Sequence, residues 1–191
     1  MARINDDLAA LGSSAKTTWG HYQPEMARVA GEMSLTVYQN TALSLREAEA
    51  ARFQTALLNG CNACYNYRVA RDLPSYVASV DASATANVGA DRGTAPDEAM
   101  YAAVEAGDLS DLSEREQIAV EFARRIGTEP KGIPGDDSFW MRMHAVYADR
   151  EIVDLTYSIT TWIAAGRFLH VLQLDNFCPG GAQIPALGAV E

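Results

Sequence analysis

The feature that most limits what this chain can become is a helix cap that occurs twice. Ser44-Leu45-Arg46-Glu47 and Ser113-Glu114-Arg115-Glu116 both match the Ser-x-x-Glu capping box, in which the serine hydroxyl accepts a backbone amide and the glutamate reaches back to the serine's own amide. Behind the first cap a helix is predicted over residues 45–59, stopped by Gly60; behind the second, Ile118, Phe122 and Ile126 mark the apolar side. Each such helix must lay that side on another element. The match runs further, as Ser44-x-Arg-Glu-x-x-Ala-x-x-Phe53 against Ser113-x-Arg-Glu-x-x-Ala-x-x-Phe122. This echo fits duplication of a helical unit, and it also fits two capped amphipathic helices that share the pattern through physics alone.

The rest of the chain reads the same way. Alanine is abundant and alternating runs of Val, Ile and Thr are scarce, which favours helix over strand. A short helix is predicted over 23–34, opened by Pro24, and another from Cys61 or Asn62 to about Leu73, ending before Pro74. Residues 75–96, rich in Ala, Ser, Gly and Asp, read as an irregular connection. Further helices are predicted over 97–106, 138–147 and 151–174, with a loop at 127–137 that contains Pro130 and Pro134. In the last helix Ile152, Leu155, Ile159, Trp162, Ile163, Gly166 and His170 share one stripe, and the tail beyond Asp175 reads as irregular. The expectation is an all-α bundle forming one domain over 1–191, with its core at about 20–175.

Charge narrows the choice of partners. Fifteen Lys and Arg stand against 25 Asp and Glu, a formal net charge of -10, and the acids are spread along the chain. Such a field repels phosphate backbones and anionic lipid, so neither nucleic acid nor membrane is expected as a partner. The start, Met1-Ala2-Arg3-Ile4-Asn5-Asp6-Asp7, lacks a basic segment followed by an apolar run, and the chain is expected in the cytoplasm. Three cysteines are too few for a disulfide scaffold, and the odd count leaves Cys178 unpaired.

Chemistry concentrates at Gly60-Cys61-Asn62-Ala63-Cys64. Two thiols three residues apart interchange between dithiol and disulfide with little backbone motion. A helix starting there would set its first amides beside the sulfurs, and Arg68, one turn beyond Cys64, would favour a thiolate further. Glu49 shares a stripe with Phe53, Ala56 and Leu57, so it either faces the core as a general base or lies at the edge of the stripe and pairs with an arginine such as Arg52. The cysteines also admit two plainer roles, as inert core thiols or as half of a zinc knuckle. A knuckle would need a second ligand pair, which Cys178, His21, His144 and His170 do not supply by spacing, and no metal or other cofactor is expected. Tyr65 and Tyr67 flank the site as hydrogen-bond donors or as packing. Arg167 borders the stripe of the last helix and is a second candidate partner for Glu49.

A glutamate twelve positions before the first cysteine, followed by Cys-x-x-Cys opening a helix, resembles the alkylhydroperoxidase D-like branch of the carboxymuconolactone decarboxylase family. Ser113 to Arg124, the stretch Asp149-Arg150-Glu151-Ile152-Val153-Asp154-Leu155-Thr156 and the pair Gly166-Arg167 are similar to the second part of its peroxidase-related members, so the likeness spans about residues 20–175. The resemblance implies an all-α fold, assembly into trimers or hexamers, and a redox-active disulfide that reduces hydroperoxides at the expense of a dithiol or protein reductant. It implies Cys64 as the attacking thiol, Cys61 as its partner and Glu49 as the base. One departure stands out. Where the family's peroxidases carry a histidine four residues after the second cysteine, and some another just before it, this chain has Arg68 and Ala63. His170 and His144 are the candidates to fold toward the cysteines in their place. Two other functions fit the same residues: a lactone-decarboxylase-type enzyme using Glu49 with Arg68 or Arg167, and an oligomeric binding protein without catalysis.

Overall fold

Both capping boxes form. Ser44 Oγ accepts from Glu47 N at 3.2 Å while Glu47 Oε2 accepts from Ser44 N at 3.1 Å, and Ser113 and Glu116 repeat the exchange at 3.3 and 2.8 Å. Each cap is worth about 1 kcal/mol. The computed structural model describes residues 1–80 and 92–176; Cys178 and most of the predicted irregular tail lie outside them, as does the middle of the 75–96 connection. The described residues form nine α-helices and no strand, an all-α bundle. They are α1 Thr18–Tyr22, α2 Pro24–Asn40, α3 Leu45–Asn59, α4 Asn62–Asn66, α5 Val69–Val80, α6 Glu98–Ala106, α7 Glu114–Thr128, α8 Asp137–Val146 and α9 Asp149–Val171. Among the described residues no helix is long and apolar enough to cross a membrane.

Helix α3 is the centre of the bundle, packed most extensively against α7 and α9. Its N-terminal end meets that of α7 through a crossed exchange: Arg46 Nε donates to Glu116 Oε1 at 2.6 Å, and Arg115 Nε to Glu47 Oε1 at 2.7 Å. At the other end the Leu58 side chain lies over Gly127, so α3 and α7 run in the same direction. On α9, Gly166 is the point of closest approach. A Cβ there would collide with the Asn59 side chain, so a larger residue would displace Asn59 from its bond to the Trp162 carbonyl or force α9 away from α3.

Three expectations need correction. Helix α2 runs to Asn40, because Leu35, Val37 and Tyr38 are buried and extend its packed face past Ser34. The single helix expected over 61–73 is two, since Tyr67 is extended at φ -67° and ψ 135° and breaks the run between α4 and α5. Pro74 does not end α5 but lies inside it: Pro74 and Ala70, whose carbonyl loses its helical donor, are both exposed, so the lost bond falls on the solvent side of the helix. The start of the supposed irregular connection, through Val80, is therefore helix.

Candidate functional site

The reason α3 leads into a tight turn is local. Gly60 adopts φ 62° and ψ 21°, the left-handed conformation that ends a helix cheaply only at glycine, and its amide returns to the Ala56 and Leu57 carbonyls. The chain re-enters helix at once with Cys61 as the capping residue, its sulfur accepting from Cys64 N at 3.2 Å. Cys61 and Cys64 are joined as a disulfide, their Cα atoms 5.2 Å apart. The two sulfurs are unequal. Cys61 is fully buried, whereas Cys64 is partly exposed and is the one a dissolved partner meets first.

Glu49 is 2 % exposed, on the core-facing side rather than at the edge of the stripe, and it is paired with Arg52. Arg52 Nε lies 2.7 Å from Glu49 Oε2 and Arg52 Nη2 3.0 Å from Oε1. Glu49 Oε1 also accepts from Tyr101 Oη at 2.7 Å and from Val69 N at 3.4 Å. Neither sulfur is among its hydrogen-bond partners. Burial works against the Arg52 charge, yet the Glu49 carboxylate overrides it and raises its pKa, keeping the guanidinium charged. Burial first, and then Glu49, pushes the Tyr101 phenol up; burial likewise raises Tyr67, so both rings stay protonated.

Arg52 does a second thing. Its Nη1 donates to the Cys64 carbonyl at 2.6 Å and its Nη2 to that of Tyr67 at 3.2 Å, with the Tyr67 ring 5.1 Å from the guanidinium. Arg68 joins it, donating to the carbonyls of Tyr65 at 2.7 Å and Tyr67 at 3.2 Å. The carbonyls at the end of α4 are thus held by two guanidiniums. The break at Tyr67 removes Arg68 from the face of Cys64 on which unbroken helical spacing would place it. Its guanidinium lies 3.9 Å from the Tyr101 ring centre and pairs with Glu98, whose carboxyl that bond lowers below its ordinary range. Tyr65 stacks against Phe53 and donates to Glu105.

On the opposite side the site is closed by a residue that carried no sequence signal. Asp175, 1 % exposed in the turn after α9, accepts the Asn62 amide at 3.0 Å on Oδ2. That amide is one of those the simple helix reading assigned to the sulfurs. His170 Nδ1 lies 3.1 Å from the same oxygen, and its ring covers Gly60, with Cε1 and Nε2 each 3.4 Å from where a Cβ would stand. Of the two candidate histidines, His170 comes to the cysteine turn. His144 remains on α8 beside Trp140, 3.6 Å from Asp149 Oδ1, because α8 packs against α7 instead. Arg167 does not reach Glu49. It bonds Asn59 Oδ1 at 3.2 Å and the Gly127 carbonyl at 2.9 Å, since the close contact at Gly166 places it at the far end of α3. Among the described residues no group of three His, Cys, Asp or Glu converges as metal ligands.

The fold and the site define an all-α protein with a Cys-x-x-Cys disulfide braced by buried charge, an arrangement compatible with redox chemistry. Neither a family model nor a curated protein matches the chain.

Proposed function

We propose that the protein is a thiol-dependent oxidoreductase that reduces hydroperoxides through Cys61 and Cys64. The observation that carries this reading is the disulfide itself, with one sulfur partly exposed and its partner buried. The resemblance to alkylhydroperoxidase D-like proteins supports the substrate class. In the reduced protein the Cys64 thiolate attacks the distal oxygen of the hydroperoxide; the O–O bond breaks, the alkoxide leaves and takes a proton as alcohol, and Cys64 becomes a sulfenic acid. The Cys61 sulfur then displaces hydroxide, which leaves as water after protonation, and the disulfide returns. An external dithiol or a protein reductant supplies two electrons to reopen it.

In this reading Glu49 holds Arg52 against the Cys64 carbonyl, and Tyr67 and Arg68 complete the frame behind the attacking residue. A trimer or hexamer is part of the same proposal. Met26, Val29 and Met33 on α2, with Val153, Tyr157 and Val171 on α9, are exposed apolar side chains such an assembly would cover. The lactone-type alternative is less well supported, because both Glu49 oxygens are already engaged by Arg52 and one also by Tyr101. The test is stoichiometric. Reduced protein mixed with cumene hydroperoxide is expected to lose two thiols per peroxide consumed, and Cys64→Ser to consume none through this route; equal peroxide loss in the two proteins overturns the proposal.

A further inference from the structure

Reducing the Cys61–Cys64 bond leaves a charge that must be accommodated. Attack by an external thiolate on the accessible Cys64 sulfur forms a mixed disulfide, and the electron pair of the broken S–S bond goes to Cys61 Sγ. Cys61 is fully buried, and the contact offered to its sulfur is the Cys64 amide at 3.2 Å. The amide of the next residue, Asn62, donates to the buried Asp175 carboxylate, so the new thiolate forms one residue along the chain from the group that holds this carboxylate. Like charges at one turn oppose each other. The group placed to relieve this is His170. It shares Asp175 Oδ2 with the Asn62 amide, lies over Gly60 directly before Cys61, and has 43 % of its side chain exposed, which connects it to protons in solvent.

We propose that His170 and Asp175 form a proton-linked pair that governs how readily Cys61 leaves when the disulfide is reduced. This rests on the redox reading above and assigns the pair positioning roles, acting through Asp175 and the Asn62 amide. With His170 as imidazolium, its charge offsets that of Asp175; with His170 neutral, the uncompensated carboxylate opposes the thiolate. The proton balance closes with the Cys61 thiolate taking one proton from solvent while the imidazolium keeps its own. The second thiol of the reductant, as thiolate, then releases Cys64 and completes the two-electron transfer. Among the described residues, other charged groups around His170 do not substitute for the imidazolium. Arg167, a turn earlier on α9, is bound to Asn59 and Gly127; Arg3, whose amide meets the Leu172 carbonyl, is exposed; and the α3–α4 turn offers Gly60, Cys61 and Asn62.

The experiment is the rate of disulfide opening by dithiothreitol from pH 5 to 9, divided by the ionised fraction of the reagent, in the unaltered protein and in His170→Gln. Glutamine can still donate to Asp175 but takes up no proton in this range. The ratio of the two rates is expected to be about tenfold at the acid end, where imidazole carries charge, and to approach one at the alkaline end. A structural role alone would give a constant ratio. Asp175→Asn, which retains an acceptor for the Asn62 amide, is expected to open faster than the unaltered protein at alkaline pH. If it does not fold, His170→Gln decides the matter. An exchanging disulfide with a pH-independent ratio overturns the pair and leaves the redox function standing; a disulfide that does not exchange at any pH overturns both.

Discussion

Helices α3 and α7 open on the same Ser-x-Arg-Glu cap, run side by side in one direction, and trade arginines across their N-terminal ends. Beyond the caps only Ala50/Ala119 and Phe53/Phe122 are identical, and among the differences a few bear on the site. Where α3 has Glu49 and Arg52, α7 has Ile118 and Glu121; where the first unit continues through Gly60 to Cys61 and Cys64, the second continues through Glu129 to Pro130 and Ile133. Ile118 and Ile133 are core residues, and Pro130 opens a short 3-10 turn over Pro130–Gly132. One scaffold therefore serves two purposes. A helix pair that is stable with an apolar residue at one position carries a buried ion pair at the matching one, and that ion pair reaches out to hold the backbone of the Cys-x-x-Cys turn.

The strongest consequence of this contrast concerns the ion pair. Arg52→Ala strands the Glu49 carboxylate and is expected to cost about 3–5 kcal/mol in urea unfolding, whereas Glu49→Leu with Arg52→Met, which makes the first unit resemble the second, should cost much less than the single change. Glu121→Ala, at the place matching Arg52, removes a pair with the half-exposed Arg142 and a longer contact with Arg125, which keeps its closer partner Asp136, and should cost about 1 kcal/mol. Equal losses for Arg52→Ala and Glu121→Ala would undo the contrast. Next in size are the caps: Ser44→Ala and Ser113→Ala should each cost about 1 kcal/mol by the same measurement. Similar values would strengthen the likeness of the two units, and a twofold disparity would show that tertiary context dominates it.

The mildest effect is acid sensitivity at the crossed exchange. Burial alone would raise the Glu116 carboxyl, but the Ser113 hydrogen bonds and the Arg46 charge outweigh it and hold the carboxyl below its usual value of 4.5. A folded pKa below the unfolded one contributes stability that is complete above the unfolded value and is lost as pH falls through the folded one. Stability should therefore decline below about pH 4.5, and Glu116→Gln should flatten that part of the curve when unfolding is followed against pH.

Much of the bundle was legible because helix caps and stops are local. Ser44, Gly60, Asp97 and Ser113 mark the boundaries of their helices through bonds to residues a few positions away. The break at Tyr67 was not legible, since it is held by Arg52, fifteen residues back, and by Arg68 turned toward α6. Of the site, the cysteines and the buried face of Glu49 follow from spacing. Tyr101 and Asp175 do not, because α6 and the turn after α9 reach them across long stretches of chain.

The order of residues alone dictates that this chain is helical, where most helices start, and that two thiols and a carboxylate lie close along it, because capping and periodicity act within a turn or two. The sharing of charge was settled by packing. The donors and acceptors that engage Glu49, Arg68 and His170 arrive on helices far apart in sequence, and a buried charge takes whichever partner the fold places within hydrogen-bond reach.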